Sequence, residues 1–178
     1  LGQSQAVPEC ARRAGKTAGR RRTQGLGALA LTALIGVAPA MAATYDLATS
    51  DGTDGAVDSG QSGTAAVAPV TTDSDTYNLI LGNSLTGGDG AKGVGSPSGV
   101  AGNGGNGGAG IEVDGASNTF NFAGSITGGA AGGGGQGLWG SSTGGFPGTA
   151  ANAIQVDGAN NSFNITGAMT GGRGGNGG

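Results

Sequence analysis

Eleven acidic side chains and no histidine limit the chemistry open to this chain of 178 residues. Nucleophilic triads and the common transition-metal sites draw on histidine or cysteine. The only cysteine, Cys10, lies close to the N-terminus beside a basic stretch. Paired carboxylates remain, because general acid–base work needs two such groups facing one substrate. Glu112 and Asp114 are two residues apart, and Asp114 recurs 43 residues later as Asp157. Glu112 becomes Gln155 in that second occurrence, so the pair is not repeated. Each of the two aspartates precedes a glycine, which is turn chemistry. If the two segments stack, these aspartates stand about 4.8 Å apart at one corner. Gly87-Gly88-Asp89-Gly90 resembles part of the calcium nonapeptide GGxGxDxUx, but the aspartate is displaced and the match occurs once. No catalytic residue, metal ligand or cofactor is expected.

The elements that would carry these residues are announced by a repeat. Residues 111–129 read IEVDGASNTFNFAGSITGG and residues 154–172 read IQVDGANNSFNITGAMTGG. They align without a gap at a spacing of 43, a period typical of stacked repeat architectures. A weaker version spans residues 65–86, where Thr76-Tyr77-Asn78-Leu79 matches Thr119-Phe120-Asn121-Phe122 and the rest slips by two residues. Apolar residues alternate within each copy, and a period of two means a strand with one buried face. The expected inward ladders are Tyr77, Phe120 and Phe163; Leu79, Phe122 and Ile165; and Leu85, Ile126 and Met169. Asn78, Asn121 and Asn164 would form an outward asparagine ladder. Asp-Gly-Ala-(Ser/Asn)-Asn supplies the corner between the first two strands. Three short strands in about 20 residues, stacked on their like, predict an all-β fold, a parallel β-helix.

Glycine accounts for 44 residues and is concentrated between the copies. Residues 87–110, 130–150 and 173–178 are too long for ordinary turns of about 2–6 residues. They read as excursions from one corner, either flexible or packed as extended polyglycine strands. Leu138, Trp139 and Phe146 are the large apolar residues within them. Trp139 and Phe146 are candidate partner contacts; the plainer expectation is that Trp139 folds back on the flank of the stack. Residues 43–64 are small, polar and acidic with little periodicity, and read as a flexible segment.

Charge is divided unevenly. Arg12, Arg13, Lys16, Arg20, Arg21 and Arg22 precede an uncharged apolar run over residues 26–38, followed by Ala40-Met41-Ala42. A charged region, a short apolar region and an A-x-A site make residues 1–42 a secretory signal peptide, with cleavage expected between Ala42 and Ala43. The apolar run falls short of the roughly 20 residues of a spanning helix. Past position 42 only Lys92 and Arg173 oppose ten acidic residues. A body with that balance repels nucleic acid, which is excluded as a partner. The segment past position 42 also has no cysteine, so disulfides cannot staple it.

A signal peptide followed by N-x-x-G-x-(I/M)-T-G-G phrases, at Asn121 to Gly129 and Asn164 to Gly172, resembles the passenger region of bacterial autotransporters. The resemblance covers roughly residues 65–178. It implies that the β-helix is right-handed and is exported through a C-terminal β-barrel in the outer membrane. That barrel is not among these residues, so the resemblance implies the N-terminal piece of a longer protein. The implied role is adhesion or aggregation at the cell surface, or outside the cell, toward a host or cell-surface ligand. The alternative is the scaffold of an exported enzyme or toxin whose catalytic part lies beyond residue 178.

Overall fold

The computed structural model describes residues 41–140 and 142–178. Among them there is no helix; ten short strands form three sheets in which every pair of strands is parallel. The first sheet joins β1 (Thr44–Leu47), β3 (Thr76–Leu79), β6 (Thr119–Phe122) and β9 (Ser162–Ile165) in that order. The second joins β2 (Ser50–Asp51), β4 (Ser84–Thr86), β7 (Ser125–Thr127) and β10 (Met169–Thr170). The third pairs β5 (Ile111–Val113) with β8 (Ile154–Val156), and Val70 bridges to Val113. Four successive units therefore lie one on another, each contributing one strand to the first sheet and one to the second.

The period-two pattern decides which side chains go inside. Leu79, Leu85, Ile111, Val113, Phe120, Phe122 and Ile126 are fully buried, whereas their strand neighbours face outward. Register pairs Tyr77 with Phe120 and Phe120 with Phe163, and the rings stack with centroids 5.2 and 4.8 Å apart. Leu79, Phe122 and Ile165 align, as do Leu85, Ile126 and Met169. Each of the buried side chains contributes roughly 1.5–3 kcal/mol, and stacked rings add about 0.5–1.5 kcal/mol beyond their area. No single unit holds enough of them, so the core exists only between units.

Three features depart from the sequence expectation or lie beyond it. Residues 43–64, read as a flexible polar segment, carry β1 and β2. Tyr45 stacks on Tyr77 at 5.1 Å and Asp46 aligns with Asn78, so the segment forms a unit of its own. The slip of two residues in the second unit is a longer corner: Ile80 and Leu81 protrude into solvent, and Gly82 turns the chain at φ 94°. A second Asx ladder lies inside, at Asp75, Asn118 and Asn161. Asn118 Oδ1 accepts the Asp75 N–H and Asn161 Oδ1 accepts the Asn118 N–H, both at 2.8 Å. The residue just before each ladder position, Ser74, Ser117 or Asn160, is left-handed at φ 64, 60 or 57°. The third-position amide that such a corner strands in the interior is thus given a side-chain acceptor.

The glycine runs are ordered, which selects the extended polyglycine alternative. Each of the first three units sends out one run and brings back another. Gly102, Gly105 and Gly108 donate to the carbonyls of Val94, Ala91 and Gly88, an antiparallel pairing that steps by three residues. Gly129, Gly132 and Gly135 then donate to Gly108, Gly105 and Gly102. Outgoing runs pair in parallel with one another: Gly87, Gly90 and Gly93 donate to Thr127, Ala130 and Gly133. Returning runs do the same, with Ala101, Gly104 and Gly107 donating to Thr143, Phe146 and Thr149. Three residues per repeat and no bonds within the run are the geometry of polyproline II. The result is two layers, one of outgoing and one of returning runs, hydrogen-bonded within and between. Glycine is required by closeness: a Cβ at Gly105 would overlap the Gln61 carbonyl, and one at Gly132 the Ala91 carbonyl.

Candidate interaction surface

In a three-residue run two positions face neighbouring chains and the third faces out. The triplets GGD, AGN, GGN, GGA and GGR place Asp89, Asn103, Asn106, Ala130 and Arg173 at the third position. Of these, Asp89, Asn103, Asn106 and Arg173 are exposed. The peptide N–H at an outward position has no run beside it, and at five such positions a side chain of the preceding unit caps it. Asp54 Oδ1 accepts the Asp89 N–H at 2.8 Å, and Asp89 Oδ1 accepts the Ala130 N–H at 2.7 Å. On the returning layer, Ser62 Oγ accepts from Asn106 at 3.2 Å, Asn106 Oδ1 from Thr149 at 2.8 Å, and Asn103 Oδ1 from Phe146 at 3.0 Å. The outer face of the first sheet uses the same device between side chains. Asn121 Nδ2 donates to Asn78 Oδ1 and Asn78 Nδ2 to Asp46 Oδ1, each at 3.0 Å. Among the described residues no buried side-chain polar atom lacks a partner.

Trp139 and Phe146 are exposed, at 68% and 77%. Trp139 sits in the turn between the outgoing and returning runs of the third unit, where Ser142 Oγ accepts its N–H at 2.9 Å. It does not fold back on the flank, contrary to the plainer sequence expectation. Phe146 lies on the returning layer beside Asn103. The two rings are not among the stacked pairs of the structure. Val57, Val100 and Leu138, in or beside the turns of successive units, are exposed as well.

The stacking that brings Asp114 and Asp157 to one corner of adjacent units is present, since each follows a strand of the pair β5 and β8. Glu112 is paired with Gln155 in the third sheet, and Asp114 and Asp157 are exposed corner residues. Asp157 Oδ2 accepts the Gln155 amide at 3.3 Å. Among the described residues no three acidic, histidine or cysteine side chains are grouped to hold a metal. Cys10 and most of the leader lie outside the described residues. At the expected cleavage site, Ala42 is exposed and Ala43 is, among the described residues, the first tied to the body: its N–H donates to Asp75 Oδ1 at 2.8 Å and its carbonyl accepts from Thr76.

Sequence reasoning did not single out Lys92, Gly133 or Asn176, which share a row on the outgoing layer and line a notch of about 360 Å³ with Gln136. The signal available was the third position of each glycine triplet, which marks every residue on these faces. No family model, curated protein or solved structure matches the chain.

Proposed function

We propose that residues 43–178 begin a right-handed parallel β-helix, carried to the cell surface as the passenger of an autotransporter and acting there in adhesion or aggregation. The observation that carries this reading is the continuity of every ladder. All strand pairs are parallel, and aromatic, aliphatic and Asx rows each run from one unit into the next. Such a stack grows by addition of units and offers long flat faces in place of a closed pocket.

The beginning of the ordered body supports export. Asp75 is only 8% exposed, and its carboxylate meets the Ala43 N–H. Asn118 and Asn161 fill the same column in later units, where the partner is an internal amide. Cleavage after Ala42 would turn the Ala43 N–H into an α-ammonium beside that carboxylate. An aspartate in the second unit, where it faces Ala43 of the first, and asparagines afterwards suit a chain whose body starts at Ala43.

N-terminal sequencing of the protein from producing cells, combined with protease treatment of intact cells, tests the proposal. A chain beginning at Ala43 and digested from outside is expected. An intact leader on a chain protected until lysis would overturn it.

A further inference from the structure

We propose that the notch on the outgoing layer binds the acidic groups of an extracellular polysaccharide, with Lys92 and the free peptide N–H groups of Gly133 and Asn176 as its donors. This deepens the surface-display reading and rests on it for the ligand being an extracellular polymer.

The argument starts from the capping rule of these layers. Asp54 caps the amide of Asp89, and Asp89 caps that of Ala130. One row further along, the register Gly93 to Gly133 and Gly134 to Asn176 aligns Lys92, Gly133 and Asn176. The cap is already missing at Arg173, whose neighbour in the preceding unit is Ala130, and it is missing throughout this next row. The residue that would cap Gly133 is Lys92, which has only donors, and the residue that would cap Asn176 is Gly133, which has no side chain. Among the described residues neither amide finds an acceptor. Gly133 and Asn176 both line the notch, together with Lys92 and Gln136.

The missing side chain at Gly133 is not imposed by packing. A Cβ there would stand 3.2 Å from the Asn176 carbonyl oxygen, a contact relieved by a small shift, whereas at Gly132 it would overlap backbone. The glycine therefore keeps the notch open. Charge agrees: Lys92 and Arg173 are the two cations of a body with ten acidic residues, and both project from this layer. In the adjacent row, about 9 Å along the run, Arg173 and the exposed Asp89 stand on either side of the small Ala130, with Arg173 on the unit that carries Asn176 and Asp89 on the unit that carries Lys92. Backbone N–H groups converging with a cation form an anion site. Side-chain amides beside them suit sugar hydroxyls, and the open notch lets a polymer pass across the units. An acidic sugar, with carboxylate or sulfate, combines these features.

The test is titration of the full chain with a uronate oligosaccharide, followed by the amide NMR signals of Gly133 and Asn176, beside a neutral oligosaccharide of the same linkage and inorganic phosphate. The expected result is saturable shifts at these two amides with the uronate chain, none with the neutral one, and weaker binding as salt is raised. Lys92→Gln and Gly133→Asp should each reduce affinity about tenfold, the equivalent of one charge-assisted contact, with the remaining spectrum unchanged. Gly133→Asp supplies the missing cap and a repelling charge together. Equal response to the neutral oligosaccharide, response to phosphate alone, no response, or binding indifferent to both substitutions would each overturn the inference. Surface exposure is read separately by protease treatment of cells, so absence of binding in an exposed protein overturns this site and leaves the display reading standing.

Discussion

Each unit has two halves built on opposite rules. In the sheet half, position is dictated by side-chain volume: Phe120, Phe122 and Ile126 fill a core and alternate with polar residues at a period of two. In the glycine half, position is dictated by the lack of side chains, and hydrogen bonds recur at a period of three. The first half gains burial energy. The second gains almost none and orders the residue type with the most backbone entropy to lose. What offsets that cost is geometry set elsewhere. Strands already stacked about 4.8 Å apart deliver the runs in register, so closure between neighbouring runs is nearly intramolecular. The glycine layers are thus read as templated by the sheets, and the sheets as capable of standing with the layers locally disturbed.

That asymmetry can be broken from either side. Phe120→Ala should cost the most, about 3–5 kcal/mol, because the ring is fully buried and stacked on both sides. Chemical denaturation should show it as loss of the whole transition, glycine layers included. Gly132→Ala should cost less, near the upper end of ~1–3 kcal/mol, through overlap with backbone that cannot move aside. Its neighbour sharpens the point: Gly133→Ala should leave the denaturation midpoint nearly unchanged, since only one relievable contact is made. If both substitutions cost the same, close packing of the runs is not what selects glycine. The smallest effect is a gain. Ser117 holds φ 60° at a corner where the next unit has Asn160 at φ 57°. Ser117→Asn should stabilise by a few tenths to ~1 kcal/mol, because asparagine tolerates the left-handed region better than serine.

The two halves also differ in how much of them the sequence discloses. The ladders through Phe120 and Phe163 are legible because buried volume leaves a hydrophobic period. The first unit was equally written: Thr44-Tyr45-Asp46-Leu47 repeats as Thr76-Tyr77-Asn78-Leu79, but at a spacing of 32 rather than 43 and within an acidic stretch. A search tied to one period passes over it. The ladder of Asp75, Asn118 and Asn161 was hidden because Asx residues in a polar corner read as turn formers, and the bonds into the interior are what distinguish them here. The glycine runs carry no hydropathy period at all. Their order was written only in which third residue is allowed a side chain, as at Asp89, Asn103, Asn106 and Arg173. The openness of the notch could not be read, since Gly133 and Gly132 are the same letter with different neighbours.

Amide hydrogen exchange across the glycine runs, residues 87–109, 128–136 and 171–178, tests the templated-layer account most directly. Slow exchange is expected at Gly102, Gly105 and Gly108, whose N–H groups are bonded between runs, and fast exchange at solvent-facing Gly133 and Asn176. A protection pattern stepping by three residues, lost together with the sheets in denaturant, is the predicted result. Uniformly fast exchange across the glycine runs, with the strands still protected, would contradict it.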